Sequence, residues 1–139
     1  MKHKLEKIEP YKSLGFDQTH ASDTEVVMAL PLAGNRNDKG TVFGGSLYSA
    51  MVLAAWRLCE EKAAAMGKSG DIFVKDSSIE FLRPGLSNMI VCARFFAPPA
   101  TTRKGNTAFE AQVDALDQEK QLCATMSASF RLVDSRHAG

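Results

Sequence analysis

The sequence predicts an α+β fold in which an antiparallel sheet of five strands curves around one buried helix. Three observations carry that expectation. Residues 47–59, LYSAMVLAAWRLC, have no Gly or Pro and only Val52 as a β-branched residue, which is the composition of a helix interior. The run is apolar on every side: Leu47, Tyr48, Met51, Leu53, Ala54, Trp56 and Leu58 point around the whole of a 3.6-residue turn, and charge begins only at Arg57, Glu60, Glu61 and Lys62. Nearly everything after Gly70 alternates with the period of strands. A helix that is apolar all round must be wrapped, because lying on a flat sheet buries one stripe alone. At about 15 residues the run is shorter than the roughly 20 a bilayer needs, so it is read as a core helix, with no membrane partner.

The elements follow in order. Residues 1–14 suggest a short helix that Pro10 interrupts, with Leu5 and Ile8 spaced to cover an apolar edge. In residues 24–32, Val26, Met28, Leu30 and Leu32 alternate as in a half-buried strand, and Pro31 marks its exit. A polar loop, 33–39, leads to the helix, which Gly67 ends after Met66. Residues 72–82 form the next strand, with Phe73, Ile79 and Phe81 on one parity and Lys75 and Ser77 between them; Arg83-Pro84-Gly85 closes it. Residues 88–97 supply another, broken by Pro98-Pro99. Runs 107–115 and 122–132 alternate most regularly, and the short turn 117–120 makes them a hairpin.

Composition narrows the function classes. At 139 residues the chain is expected to be one domain, 1–139, with a core of ordinary size. Lys+Arg 17 against Asp+Glu 16 leaves a net charge of +1, so no basic field argues for nucleic acid. Cys59, Cys92 and Cys123 are odd in number and far apart, which fits free thiols in a reducing cytoplasm better than a metal site or disulfides. No signal peptide is visible in the charged first residues, and the product is expected in the cytosol. No ligand spacing such as H-x-x-x-H or C-x-x-C occurs, so no metal is expected.

Chemistry is expected at the helix start. Gly44 and Gly45 let another molecule approach the backbone closely, and Ser46 or Gly45 is the expected N-cap. The free N–H groups there, at the positive end of the helix dipole, suit a developing negative oxygen. The alternative is a plain sharp turn into a helix.

Two segments carry a resemblance. Asn37-Asp38-Lys39-Gly40-Thr41-Val42-Phe43-Gly44-Gly45 resembles the N-x-x-G-x-x-H-G-G signature of the phenylacetate-pathway branch of hotdog acyl-CoA thioesterases, and Ser78-Ile79-Glu80-Phe81-Leu82-Arg83-Pro84-Gly85 resembles that branch's second-strand pattern. NDKGT-x-FGGS, with an Asp ahead of the S-I-x-F stretch, is closer still to the thioesterase domain fused behind a GNAT acetyltransferase in some bacterial proteins. The resemblance implies the hotdog fold and hydrolysis of an acyl thioester, on coenzyme A or an acyl-carrier protein, with no cofactor beyond the coenzyme A of the substrate. It also implies a homodimer or a dimer of dimers, with Asn37 and Gly45 of one chain working with Asp76 of another. Two departures stand out: Phe43 replaces the signature His, and Val52 occupies the helix position where that branch carries Asp.

Within this frame the backbone at Gly45 and Ser46 supplies oxyanion donors. Asn37 either holds the carbonyl or water through its amide or closes an Asx turn. Asp76 is the chosen base, because Asp is disfavoured in mid-strand unless it faces solvent or a site; the alternative is an exposed carboxylate paired with Lys75. Asp38 is the fallback. His3, His20 and His137 are expected to be solvated or structural. The turn 101–106, with Arg103, Lys104 and Gly105, suits the phosphates of coenzyme A, or is a solvated loop; Arg83 is a second phosphate contact. The acyl chain would run beside Gly44, Tyr48, Met51 and Phe81. A non-catalytic acyl-CoA binding module is the competing function, and hydratase chemistry a weaker third.

Overall fold

The computed structural model describes residues 4–15 and 17–134. Residues 1–3 of the expected N-terminal helix, with His3 and His137, lie outside them. A 3-10 turn, Lys4–Lys7, precedes α1, Glu9–Leu14, and Pro10 stands in the first turn of α1, where a missing N–H costs nothing. Pro10 therefore starts this helix; the expected interruption falls before it. Leu5 and Leu14 are buried.

The strands are β1 (Asp17–Ala21), β2 (Glu25–Leu30), β3 (Gly70–Phe81), β4 (Met89–Phe95), β5 (Ala100–Thr101), β6 (Thr107–Leu116) and β7 (Leu122–Asp134), and the long helix α2 spans Gly44–Ala65. All pairings are antiparallel, in the order β1-β2-β4-β6-β7-β3 with β5 on β6. Among the described residues the sheet has seven strands where five were expected. β1 reads DQTHA, with no apolar alternation, and is a strand because its backbone completes β2; His20 lies in it, exposed. β5 is two residues long.

One face of this sheet closes on α2. Val26, Met28 and Leu30 of β2, Met89 and Val91 of β4, Phe109 and Val113 of β6, and Met126 and Phe130 of β7 meet Met51, Ala54, Leu58 and Cys59 of α2 in one core. Each fully buried Leu, Met or Phe there stabilises the fold by about 1.5–3 kcal/mol. The small faces of Ala50, Ala54 and Ala55, each nearly inaccessible, bring helix and sheet close. Gly67, at φ +69°, takes the left-handed conformation that ends α2, and the N–H of Lys68 donates to the Ala63 carbonyl at 2.9 Å.

The wrapping is incomplete. Tyr48, Val52 and Trp56, four residues apart, form a half-buried stripe along α2, which β3 meets at its two ends through Ser77 and the Ile72 carbonyl. β3 borders this stripe as one edge of the sheet, and its register with β7 shifts between Val74 and Asp76. Ile72 and Val74 therefore share the helix-facing side with Ser77, Ile79 and Phe81, opposite the inward-facing Leu132, Phe130, Ala128, Met126 and Ala124 of β7. Phe73 is turned to the outer face, opposite Arg131, so the single parity expected for Phe73, Ile79 and Phe81 is corrected by the bulge.

Candidate active site

The start of α2 is held from three directions. The N–H of Phe43 donates to the carbonyl of Asn35 at 2.8 Å, and that of Val42 to the carbonyl of Gly85 at 2.9 Å. Asn35 is itself buried, with Nδ2 donating to the carbonyls of Leu14 and Pro31, both at 2.9 Å. The N-cap is Phe43, extended at φ −65° and ψ 129°, and its side chain makes no capping bond. Ser46 and Gly45, expected as caps, lie instead within the first turn, because the loop pinned by Asn35 and Gly85 delivers the chain two residues earlier. The first helical bond runs from the N–H of Leu47 to the Phe43 carbonyl at 3.0 Å. The N–H groups of Gly44, Gly45 and Ser46 thus have no intrahelical acceptor, and among the described residues no side chain supplies one.

Two rings flank this tip. A Cβ on Gly45 would stand 2.5 Å from Cε2 of Phe43, and one on Gly44 would stand 3.4 Å from Cζ of Phe81. Both rings are more than half exposed, so they form the walls of an opening rather than a plug. A groove of about 410 Å³ opens beside Phe81 and is lined by Gly44, Gly45, Tyr48, Ser77, Ile79 and Phe81. Tyr48 and Ser77 bring the groove's two polar side-chain atoms, and their hydroxyls hydrogen-bond to each other. An apolar cleft continues along α2 from Tyr48 between Ile8, Pro10, Ser49, Val52 and Leu53.

The structure brings Gly44, Gly45, Ser46, Tyr48 and Phe81 together and leaves the other expected residues apart. Asp76 is exposed and stands opposite Ser129, on the outer face of β3, whereas Ser77 faces the groove. Asn37 closes its own loop: Oδ1 accepts from the N–H groups of Lys39 (2.9 Å) and Thr41 (3.1 Å), and Nδ2 donates to Thr41 Oγ1 at 2.8 Å. Asp38 is exposed and pairs with Lys39 at 2.9 Å. Arg83 donates to Gln121 Oε1 at 2.7 Å. Arg103 and Lys104 line a second concavity with Lys75 and Arg131, and Gly105, at φ +84°, shapes the turn that carries them. Burial, reinforced by Glu60 and Glu110, pushes the Cys59 thiol up, and burial with Asp117 does the same for Cys123, so neither is an activated nucleophile. Among the described residues no three His, Cys, Asp or Glu side chains gather as metal ligands do.

The sequence reading did not single out Asn35, Gly85 or Ser77 for the site. Asn35 and Gly85 act through backbone bonds to residues brought near by folding alone, and Ser77 shares the face of Ile79 and Phe81 but gains its place in the site through Tyr48, which folding brings to it.

Residues 5–135 match the family described as "Putative thioesterase (yiiD_Cterm)". No curated protein matches the sequence. Among solved structures, the chain is similar to a putative thioesterase from Shewanella oneidensis, with a TM-score of 0.81 and 24% identity over 92% of this chain and 90% of that one. The PaaI protein of the phenylacetic acid degradation operon of E. coli superposes with a TM-score of 0.76 and 17% identity over 94% and 88% of the two chains. A Streptococcus mutans protein, smu.793, bound to acetyl CoA, gives 0.71 and 17% over 86% and 90%. At these identities the likeness is one of fold.

Proposed function

The chain belongs to the YiiD C-terminal thioesterase family and has the hotdog fold, and from that premise we propose that it hydrolyses acyl thioesters by direct attack of water in the groove at the start of α2. The observation that carries this reading is the bare helix tip: three N–H groups without acceptors, at the positive end of a 22-residue helix, beside a groove lined by Gly44, Gly45 and Phe81. A thioester carbonyl seated there places its oxygen on these donors, which stabilise it further as it gains charge. The hydroxyls of Tyr48 and Ser77 are the polar groups placed to orient water toward the carbonyl carbon. The acyl chain has an apolar path past Tyr48 toward Val52 and Leu53.

Asp76 and the groove lie on opposite faces of β3, which argues against a base acting within one chain. Acting from a partner chain, as the shared-site expectation has it, Asp76 is tested by Asp76→Asn: loss of turnover with folding intact supports the role, and a rate retained within about tenfold, less than the loss of a general base commonly costs, removes it. A second copy pairing along β3 fits the edge position of that strand and its exposed Phe73, Val74 and Phe81. Light scattering at micromolar concentration that returns a monomer would remove this pairing.

Purified protein incubated with short, medium, long and aromatic acyl thioesters, with free thiol followed by colour, is the direct test. Silence across the panel would overturn hydrolysis. A non-catalytic acyl-thioester binding module is the second reading, favoured by a groove lined by neither carboxylate nor imidazole. Saturable binding without thiol release would select it.

A further inference from the structure

The N-terminal segment crosses α2 and is fastened at both ends. Leu5, in the 3-10 turn, is buried, and Lys4 Nζ beside it reaches Glu60 Oε1 of α2 at 3.8 Å. At the other end Leu14 is buried, its carbonyl accepts from Asn35 Nδ2 at 2.9 Å, and Gly15, at φ +70°, ends α1 in the left-handed conformation. Between these fastenings Ile8 and Pro10 stand off from α2. The cleft they leave has a volume of about 210 Å³, its other walls are Tyr48, Ser49, Val52 and Leu53, and no charged side chain lines it.

This cleft is a path with a beginning and an end. It begins at the groove, because Tyr48 lines both. With 3.6 residues per turn, Ser49 and Leu53 stand about 100° and 140° around α2 from Tyr48, so the cleft turns away from the β3 edge and runs beneath the N-terminal segment. It stops where charge starts. The turn after Leu53 brings Trp56, whose indole N–H donates to the Ile72 carbonyl at 3.1 Å, and Arg57, which pairs with Glu61 at 2.9 Å; Lys4 and Glu60 stand beyond them. An alkyl chain pushed among these groups would displace polar partners and supply none, which is unfavourable.

We propose that the N-terminal segment sets the length of the acyl chain: Ile8 and Pro10 close the cleft over Val52 and Leu53, so that the site takes acyl groups of about eight to twelve carbons and excludes longer ones. A cavity of about 150 Å³ holds benzene, roughly 25 Å³ per carbon, so a cleft of about 210 Å³ holds about eight carbons. The helix tip and Tyr48 are about one turn apart, about 5 Å, and that stretch takes the first few carbons. The preference among substrates rests on the hydrolytic reading of the groove; the cleft as an alkyl site does not.

Calorimetry with S-alkyl pantetheine thioethers, from ethyl to tetradecyl, reads the cleft without turnover. Affinity is expected to rise about fourfold per added methylene and to level off between about eight and twelve carbons. Ile8→Ala, which enlarges the cleft, should move that point up by about two to three carbons, and Ile8→Trp, which fills it, should move it down by at least about as many. In kinetics the ratio of kcat/KM for tetradecanoyl over octanoyl thioesters should rise about tenfold in Ile8→Ala, and that for octanoyl over butanoyl should fall about tenfold in Ile8→Trp, each the effect of about two methylenes. Opposite shifts at one residue cannot come from lost stability, which would weaken every chain length alike. Affinity that levels off before hexyl, or still climbs at tetradecyl, overturns the cleft as the limit on length. A profile that neither variant moves overturns the role of the N-terminal segment. If the thioethers bind with the expected profile and no thioester is cleaved, the hydrolytic reading fails and the alkyl site stands; if thioesters are cleaved with no dependence on chain length, hydrolysis stands and the site fails.

Discussion

Replacing Gly45 by Ala separates a helix tip that is merely a turn from one that receives a carbonyl. The new Cβ would lie 2.5 Å from Cε2, 3.0 Å from Cζ and 3.2 Å from Cδ2 of Phe43, so the ring must swing away. That ring is 54% exposed, and moving it costs about 1 kcal/mol. Ala in place of Gly within a helix returns up to about 1 kcal/mol. The two nearly cancel, and Tm should move by no more than about 4 °C. Activity has no such offset. The methyl group and the displaced ring crowd the approach to the N–H groups at the tip, and loss of one oxyanion donor costs about 100- to 1,000-fold in kcat, or about 2.7–4 kcal/mol. Gly44→Ala is the internal control: its Cβ meets Phe81 at 3.4 and 3.5 Å, ordinary contact, so it should cost less than Gly45→Ala. Thiol release and thermal melting on the same preparations give both quantities. A Gly45→Ala protein with wild-type kcat/KM would refute the assignment of the tip as the oxyanion site.

Other outcomes follow from the same geometry. Tyr48→Phe removes the hydroxyl bonded to Ser77 and is expected to lower kcat about 10- to 100-fold with KM within about threefold, the signature of an interaction made in the transition state; steady-state kinetics read both. Gly85→Ala places a Cβ 2.9 Å from Met89 Sδ and 3.1 Å from Val42 Cγ2 at a buried position, and overpacking of this kind costs about 1–3 kcal/mol, measured by urea unfolding. Burial keeps the Cys59 thiol protonated in the folded chain well above the ordinary thiol range. The unfolded chain therefore releases this proton first as pH rises, and stability is full below about pH 8.5 and falls by about 1 kcal/mol over the next unit. Cys59→Ala should remove that part of the alkaline slope in denaturant titrations.

Long periodic segments were legible in the sequence. α2, β2, β6 and β7 announce themselves through apolar periodicity, and Gly67 through its place at the end of such a run. β1 and β5 do not, because a strand of polar residues, or one two residues long, owes its existence to the neighbour whose backbone it satisfies. The chemistry divides in the same way. The tip at Gly44 and Gly45 is readable, since paired glycines before an apolar helix point to close approach. The side chains around it depend on the register of β3. Counting by twos from Ile72 turns Asp76 inward and Ser77 outward, and one extra residue in the strand reverses both. Phe43 as N-cap was hidden for a related reason: Asn35 and Gly85 set where the helix begins, and neither stands beside it in sequence.

The three bare N–H groups belong to the main chain, so exchange of side chains nearby leaves the donors themselves in place. In the proposed reaction Phe43, Val52, Leu53 and Phe81 would shape the surroundings and take no part in polarising the carbonyl. A lineage built on this tip can trade them to admit longer, branched or aromatic acyl groups while its reaction centre is inherited intact. Diversity of substrates among chains of this shape is then the expected product of drift in the walls, and laboratory selection for a new acyl group should find its solutions there.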